Sequence, residues 1–505
     1  MSEILLIYPP VAKPSEAPAG IAKLAGSLRG YGVDCVAVDL NFEGLDYILR
    51  QSCTARDTWS LRALRHVEKN RAALRDKKTY TNFDRYKRAV ADLNRVVEVV
   101  GREHNLELSL ANYNDKQLSP LRSQDLLQAA AEPQENIYYP FFSNRLTRLI
   151  EENSPSFIGF SLNYLSQALC TFAMIGFCRR RFPELTIVVG GGLITSWASR
   201  PDWYNPFAGL IDHLIVGPGA EKLLVLLRKN PGGHKSFAPD YSDFSDHEYL
   251  TPGRILPYAA SSGCYWNRCS FCPEKAEGNH YSQVKPEVVV KELYQLFAED
   301  RYDLIHFLDN ALSPALLRRL IEVPPRADWY GFTRVESDLL DPKFCLDLRR
   351  SGCVMLKLGI ESGAEEVLSA MTKGIVLGDV AQVLANLKQA GIATYVYLLF
   401  GTPTEALAEA RQTLEFTVAH HHEITFLNLA IFNLPLYSSE SSGLEVRDFY
   451  AGDLSLYGNF VHPRGWQRQD VRRFLDQEFK RHPKIAPIIK RDPPIFTSNH
   501  APFFC

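Results

Sequence analysis

The chain has 505 residues, 46% of them apolar, enough to bury a large core and to build two or three domains. Its 56 Lys and Arg are matched by 58 Asp and Glu spread along the chain, so it lacks the basic stripe or tail of a nucleic-acid binder. No apolar run reaches the roughly eighteen residues of a membrane span, and the opening MSEILLIYPP has neither the basic nor the long apolar region of a secretory signal; the expectation is a cytoplasmic protein with no membrane span and no nucleic-acid partner.

The first segment alternates strands and helices. Glu3 to Tyr8 (EILLIY) reads as a short buried strand, Ala17 to Arg29 has helical spacing after a PP-x-x-x-P loop, and Val33 to Val38 reads as a second strand. Residues 42 to about 145 break the pattern with charged, helix-favouring sequence such as RALRHVEKNRAALRDKK, which predicts a helical insertion or lid. Alternation resumes with Phe157 to Ser161, a helix through Cys178, Thr186 to Val189 before Gly190-Gly191-Gly192, and His213 to Val216 before Gly217-Pro218-Gly219. Five such strands predict an α/β domain over residues 1–234, a doubly wound parallel sheet of Rossmann-like type that binds ligands at the carboxyl ends of its strands.

A polar, Asp- and Pro-bearing stretch (235–255) reads as a linker. Six further strands are predicted at Leu256 to Ser261, Leu304 to Leu308, Trp329 to Thr333, Val354 to Ile360, Ala393 to Phe400 and Ile424 to Ile431, with helices between them such as Pro286 to Glu299 and Leu377 to Ala390. These βα repeats predict a partial (βα)6 barrel over residues 256–432, with its chemistry at the carboxyl ends of the strands. Residues 433–505 form an aromatic, Pro- and Arg-rich extension with one helix, Asp470 to Phe479.

Ten cysteines are too sparse for a disulfide framework in a chain of this length, yet three crowd into nine residues, Cys264-Tyr-Trp-Asn-Arg-Cys269-Ser-Phe-Cys272. A closed zinc site needs four protein ligands, and the nearest extra donor, His280, is poorly spaced for one. Three thiolates instead suit an iron–sulfur cubane that leaves one iron open to a small molecule. The seven scattered cysteines read as small buried hydrophobes.

This trio, with Phe271 just before its last cysteine and a strand before its first, resembles the cluster loop of radical S-adenosylmethionine (SAM) enzymes. The commonest family spacing has three residues between the first two cysteines; four stand here, as in the GCYW-type loop of a cobalamin-linked branch. The resemblance implies a 4Fe-4S cluster on Cys264, Cys269 and Cys272, whose open iron binds SAM and cleaves it reductively to a 5'-deoxyadenosyl radical. It implies an external electron donor such as flavodoxin or ferredoxin. Gly359-Ile-Glu361-Ser362-Gly363 resembles the segment that holds the SAM ribose and amino acid, which makes Glu361 and Ser362 candidate contacts. Asp309 occupies the place of a family Gly-Gly-Glu contact to the SAM amino group, Arg334 is a candidate for the SAM carboxylate, and Gly401 and Thr402 lie in a turn resembling the one that packs on adenine.

The first domain resembles the cobalamin-binding domain of the same superfamily, and the two likenesses together cover nearly the whole chain. They imply corrinoid contacts from the backbone at Ser161, Leu162, Gly190, Gly191, Gly192, Gly217 and Gly219. The first turn, YPPVAKPSE, is not G-x-G-x-x-G, which disfavours a dinucleotide. The Asp-x-His-x-x-Gly segment that supplies a histidine to cobalt in many cobalamin domains is absent, so the resemblance implies cobalt without a histidine ligand, or a domain that has kept the fold and lost the cofactor.

His420-His421-His422 and Arg179-Arg180-Arg181 read as helix ends favoured by the helix dipole rather than as sites. Tyr437, Trp466, Asn499 and His500 either wall a substrate pocket or pack a carboxy-terminal cap. The resemblance implies a cobalamin-dependent radical SAM C-methyltransferase that acts on an unactivated carbon through the adenosyl radical and methylcobalamin. The alternatives are a rearrangement or cyclisation with the same cofactors, or a non-catalytic corrinoid-binding protein. A peptide, protein side chain, lipid or small molecule is equally open as substrate.

Overall fold

The computed structural model describes residues 2–229, 237–493 and 500–505. Five strands, β1 (Ile4–Tyr8), β2 (Cys35–Asp39), β3 (Phe157–Ser161), β4 (Thr186–Gly190) and β5 (His213–Ile215), form one sheet in the order β2-β1-β3-β4-β5, every pairing parallel. This is the doubly wound order 2-1-3-4-5, with its switch point between β1 and β3.

The run ILLIY forms a strand because both of its faces are buried. Alternate side chains enter different cores: Ile4 and Leu6 join a core continuous with the barrel, and Leu5 and Ile7 join one built with residues 40–153.

That insertion is helical as expected. Its longest helix, Phe83–Arg102, starts at Asn82, whose side chain accepts the Arg85 N–H at 3.0 Å. It also holds a hairpin, Leu106–Ser109 paired with Asn112–Asp115, which the sequence reading overlooked.

The segment read as a linker is packed rather than free. Its Asp240 and Asp243 accept from Arg29 at 2.6 and 2.5 Å, and the Tyr249 hydroxyl donates to Asp39 at 2.8 Å. The expected boundary at 234/235 falls outside the described residues.

The second sheet is β6 (Ile255–Tyr258), β7 (Leu304–Phe307), β8 (Asp328–Thr333), β9 (Cys353–Glu361), β10 (Ala393–Phe400) and β11 (Phe426–Ile431), all parallel and in sequential order. No pairing between described residues closes β6 onto β11, so the sheet is the expected partial barrel. The intervening helices Pro286–Glu299 and Leu377–Ala390 match their predicted spans.

The extension adds a small antiparallel sheet of Leu434–Pro435, Tyr457–Phe460 and Val446–Asp448, absent from the sequence reading. Its helix runs Arg468–Phe474 and widens into a π-turn over Leu475–Phe479. Phe503 packs on Tyr86 of the insertion and Phe426 of the barrel, with ring centroids 5.0 and 6.2 Å apart, so the tail ties these parts together. Asn499 lies outside the described residues. No helix among the described residues is long and apolar enough to cross a membrane.

Candidate functional site

The cysteine loop is pinched at its base. Ser261–Ser262 pair antiparallel with Ser282–Gln283, and Gly263 turns there at φ +71°, where a Cβ would stand 2.8 Å from the His280 carbonyl. Asp309, expected to meet SAM, instead accepts the Ala260 N–H at 3.0 Å and the Ser261 hydroxyl. Both oxygens are therefore engaged, and this buried carboxylate anchors the start of the loop.

Cys269 is buried, Cys264 and Cys272 are half-buried, and all three thiols are free. Burial pushes the Cys272 thiol up to about 11, the Glu274 and Lys275 N–H groups pull it down, and Cys269 adds to the rise. Burial also raises Cys269, against the nearby cations of Lys373 and Arg334 and with the help of Cys264. Among the described residues no three His, Cys, Asp or Glu side chains gather closely enough to hold a single metal ion.

The loop docks on the turn after Glu361. The Ser270 N–H donates to the Met371 carbonyl at 3.0 Å, and Trp266 Nε1 donates to the Thr372 carbonyl at 3.3 Å. Arg334 stacks its guanidinium 4.1 Å from the Trp266 ring and donates to the Lys373 carbonyl at 2.7 Å. Lys373 Nζ pairs with Glu361 at 2.7 Å and lies 5.6 Å from the Phe271 ring. The structure thus brings Arg334, Glu361 and the cysteine loop together. Glu361 sits at φ +68° beside a register shift in β9, the kind of backbone strain that persists where surrounding contacts enforce it.

Ser362 is a correction. Its buried hydroxyl lies 3.2 Å from the Thr413 hydroxyl and accepts the Ala364 N–H at 3.1 Å, so it closes the turn and offers no surface to a ligand.

Gly401, at φ +79°, donates its N–H to Glu405, and the Thr402 carbonyl accepts from His462 at 2.8 Å. Beside this turn lies a pocket of about 200 Å³ lined by Phe271, Met371, Thr402, Pro403, Glu440 and Leu444. The buried Thr402 hydroxyl has no hydrogen-bond partner among the described residues, a group that a ligand could satisfy.

At the carboxyl ends of β3, β4 and β5 lies a cavity of about 490 Å³, lined mostly by apolar groups and by Ser161, Gly190, Gly191, Gly217 and Gly219. Gly191 is the position that demands glycine: its φ is +112° and a Cβ would lie 2.3 Å from the Leu162 carbonyl oxygen. Leu162 and Gly192 do not line the cavity. Leu162 is buried, and Gly192 opens the helix Gly192–Ala198 while donating to Asn163 at 2.9 Å.

The sequence reading missed Gly159, although a glycine within the buried run FIGFS signals a close approach. It also missed Pro257, Ala259 and Leu308, which the barrel contributes to the same cavity. A second cavity of about 430 Å³ shares Asn163, Pro257 and Leu308 with the first and adds Lys13, Glu16 and His306.

Elsewhere the readings as structural features agree with the fold. His420 follows the helix Leu407–Ala419, and Arg179, in the last turn of Leu165–Arg181, pairs with Asp212 at 2.7 Å. Tyr437 donates to Asp202 at 2.8 Å and Trp466 to Glu405 at 3.2 Å.

Residues 258–417 match the model of the radical SAM superfamily. An uncharacterized methyltransferase of Pyrococcus horikoshii is 26% identical over 189 residues, which is 35% of this chain and 40% of that protein, so the match spans well under half of this relative's length. Among solved structures, the radical SAM methyltransferase TsrM from Kitasatospora setae, with cobalamin and a [4Fe-4S] cluster bound, aligns at 17% identity and a TM-score of 0.52, covering 89% of this chain and 81% of its own. The cobalamin-dependent SAM radical enzyme OxsB, with aqua-cobalamin bound, aligns at 12% identity and a TM-score of 0.58, covering 94% and 67%. At such identities the likeness speaks for the fold, and the α/β architecture with two parallel sheets is shared. The barrel region of the chain, residues 258–417, is thus similar to the radical SAM superfamily, and nearly the whole chain shares its two-sheet fold with these structures.

Proposed function

We propose that the protein is a cobalamin-dependent radical SAM enzyme that methylates a carbon atom of its substrate. The observation that carries the proposal is the glycine-lined cavity at the strand ends of the first domain, whose far wall is the barrel itself through Pro257, Ala259 and Leu308. A corrinoid held there by its nucleotide tail would face the barrel interior directly. The residues fit such a group: the cavity is largely apolar and is lined by Gly190, Gly191, Gly217 and Gly219, which lack side chains.

Cys264, Cys269 and Cys272 would hold a 4Fe-4S cluster. Three thiols within nine residues of one loop suit a polynuclear cluster, whose thiolates sit on different irons. Glu361 and Arg334, with the turn Gly401-Thr402, would hold SAM, and Asp309 would position the loop. Ser161, Gly190, Gly191, Gly217 and Gly219 would line the corrinoid. When bound, cluster and SAM supply a carbon-centred radical, and cobalamin supplies a methyl carrier.

The chain's own contribution is exact placement and exclusion of water. The Glu361–Lys373 pair and the Arg334–Trp266 stack hold the loop rigid, and the cavity lies between two packed domains. The electron would come from an external donor of the flavodoxin or ferredoxin class.

Anaerobic purification with cobalamin tests this reading. Iron, sulfide and corrin should co-purify, and dithionite with SAM should give 5'-deoxyadenosine and S-adenosylhomocysteine. A chain that retains no iron and forms neither product refutes it.

A further inference from the structure

Glu16, on the loop that follows β1, reaches from the first domain into the barrel. His306 Nδ1 lies 3.0 Å from each of its carboxylate oxygens, and Lys357 Nζ lies 3.2 Å from the other ring nitrogen. Chemistry sets the directions. An ammonium can only donate, so Nε2 accepts from Lys357 and the ring proton sits on Nδ1, donated to Glu16. His306 belongs to β7 and Lys357 to β9, so the chain joins a loop of one domain to two strands of the other.

Its surroundings make it stiff. The His306 ring stacks on Tyr330 at 4.4 Å, and Lys357 Nζ lies 4.9 Å from the Tyr330 ring and 5.1 Å from Phe332. His306 and Lys357 are buried, and Glu16 is largely so. The loop bearing Glu16 is clamped at its other end: Gln167 donates to the Pro9 carbonyl and the Ala12 N–H to Asn41, each at 2.7 Å.

Burial alone would raise the Glu16 carboxyl, but His306, Lys357 and Lys13 outweigh it and hold the group below its ordinary value. Burial pushes Lys357 down to about 8 and keeps His306 below its ordinary value, with Lys357 and Lys13 acting against the Glu16 carboxylate at the ring.

We infer that the Glu16–His306–Lys357 chain seats the amino-terminal domain on the barrel and thereby sets the alignment of the two candidate cofactor sites. Glu16 and His306 line the second cavity, which shares five wall residues, Ala19, Gly20, Asn163, Pro257 and Leu308, with the glycine-lined one, so a shift of this contact moves one wall of the space between the sites. Loss of one member leaves a buried charge without its counter-charge, whereas loss of both charges together does not. These are positioning residues, and the inference rests on the cobalamin and SAM reading above.

The test uses the full chain with Glu16→Gln, Lys357→Met and the double variant. In the chain purified without cofactors, Glu16→Gln should raise amide hydrogen exchange at residues 9–16 and 304–308. In the loaded enzyme, iron content and 5'-deoxyadenosine formation, which need the barrel alone, should stay within about twofold of wild type. S-adenosylhomocysteine formation, which needs both domains, should fall by about tenfold or more, since a misplacement of about 1 Å can cost 10²-fold. The charge-neutral double variant should recover part of that loss. Equal losses of both products, unchanged exchange at residues 9–16, or a double variant as poor as the sum of the singles would overturn the inference. If wild type itself forms no S-adenosylhomocysteine, the methyl-transfer reading fails, and the exchange measurement still decides for or against the interdomain contact.

Discussion

Trp266 stands so close to Gly374 that a Cβ on the glycine would lie 2.2 Å from the indole ring. This contact seats the cysteine loop on the turn that follows Glu361, and Gly374 makes it possible with φ +68° and no side chain. Gly374→Ala should destabilise the fold by about 1–3 kcal/mol and lower the iron retained per chain. Iron analysis beside a denaturant titration checks it, and full iron retention would show that the loop does not depend on this contact.

Two cysteines separate cluster chemistry from packing. Cys269→Ala should remove cluster iron and reductive SAM cleavage altogether. Cys345, buried and donating to the Leu339 carbonyl at 3.4 Å, should give an alanine variant that keeps its iron and loses only about 1 kcal/mol of stability. Equal iron loss in both would count against the assignment.

The glycine-lined cavity offers a matched pair. Gly191→Ala forces a side chain to 2.3 Å from the Leu162 carbonyl at φ +112°, whereas a Cβ on Gly192 meets nothing nearer than 3.8 Å. Corrin binding, followed by absorbance titration, should weaken by about tenfold or more in the first variant and stay at wild-type strength in the second. Identical affinities would place the corrinoid elsewhere.

Glu405 gives a pH dependence. Burial pushes its carboxyl up to about 7, against hydrogen bonds from the Gly401 N–H and Trp466 Nε1. Because the folded value lies above the ordinary 4.5, the folded chain holds the proton more tightly. The stability this gives is complete below the ordinary value and is lost as pH rises through the folded one. Glu405→Gln should therefore flatten the fall in unfolding midpoint between about pH 4.5 and 7, with about 3 kcal/mol as the upper bound on the difference. Parallel curves for the two proteins would exclude Glu405 as the source.

Much of this architecture was legible in the sequence because its signals are local. Apolar runs such as ILLIY and ATYVYLLF gave β1 and β10, and the helix Pro286–Glu299 announces itself by a proline at its first position and apolar spacing. The hairpin at Leu106–Asp115 escaped because its strands are short, exposed on one face and set in charged sequence. At the site, the cysteine trio and Glu361 carry recognisable motifs, but their partners do not. Lys373 is just another lysine until the turn folds it onto Glu361, and Glu16 meets His306 across 290 residues. Asp309 and Ser362 show the converse error. Each stood at a position where the resemblance implied a ligand contact, and each spends its polar atoms on a backbone N–H and a hydroxyl close by.

The parallel sheet of the second domain, six-stranded and open among the described residues, has a consequence for how such a protein diversifies. An eight-stranded barrel closes on itself and fills its centre with its own side chains. Here the ring is left ajar, and its interior is completed by a loop of the preceding domain and by the tail. New chemistry at the centre could thus be acquired by exchanging these guests while the cysteine loop and the strand that carries Glu361 stay untouched.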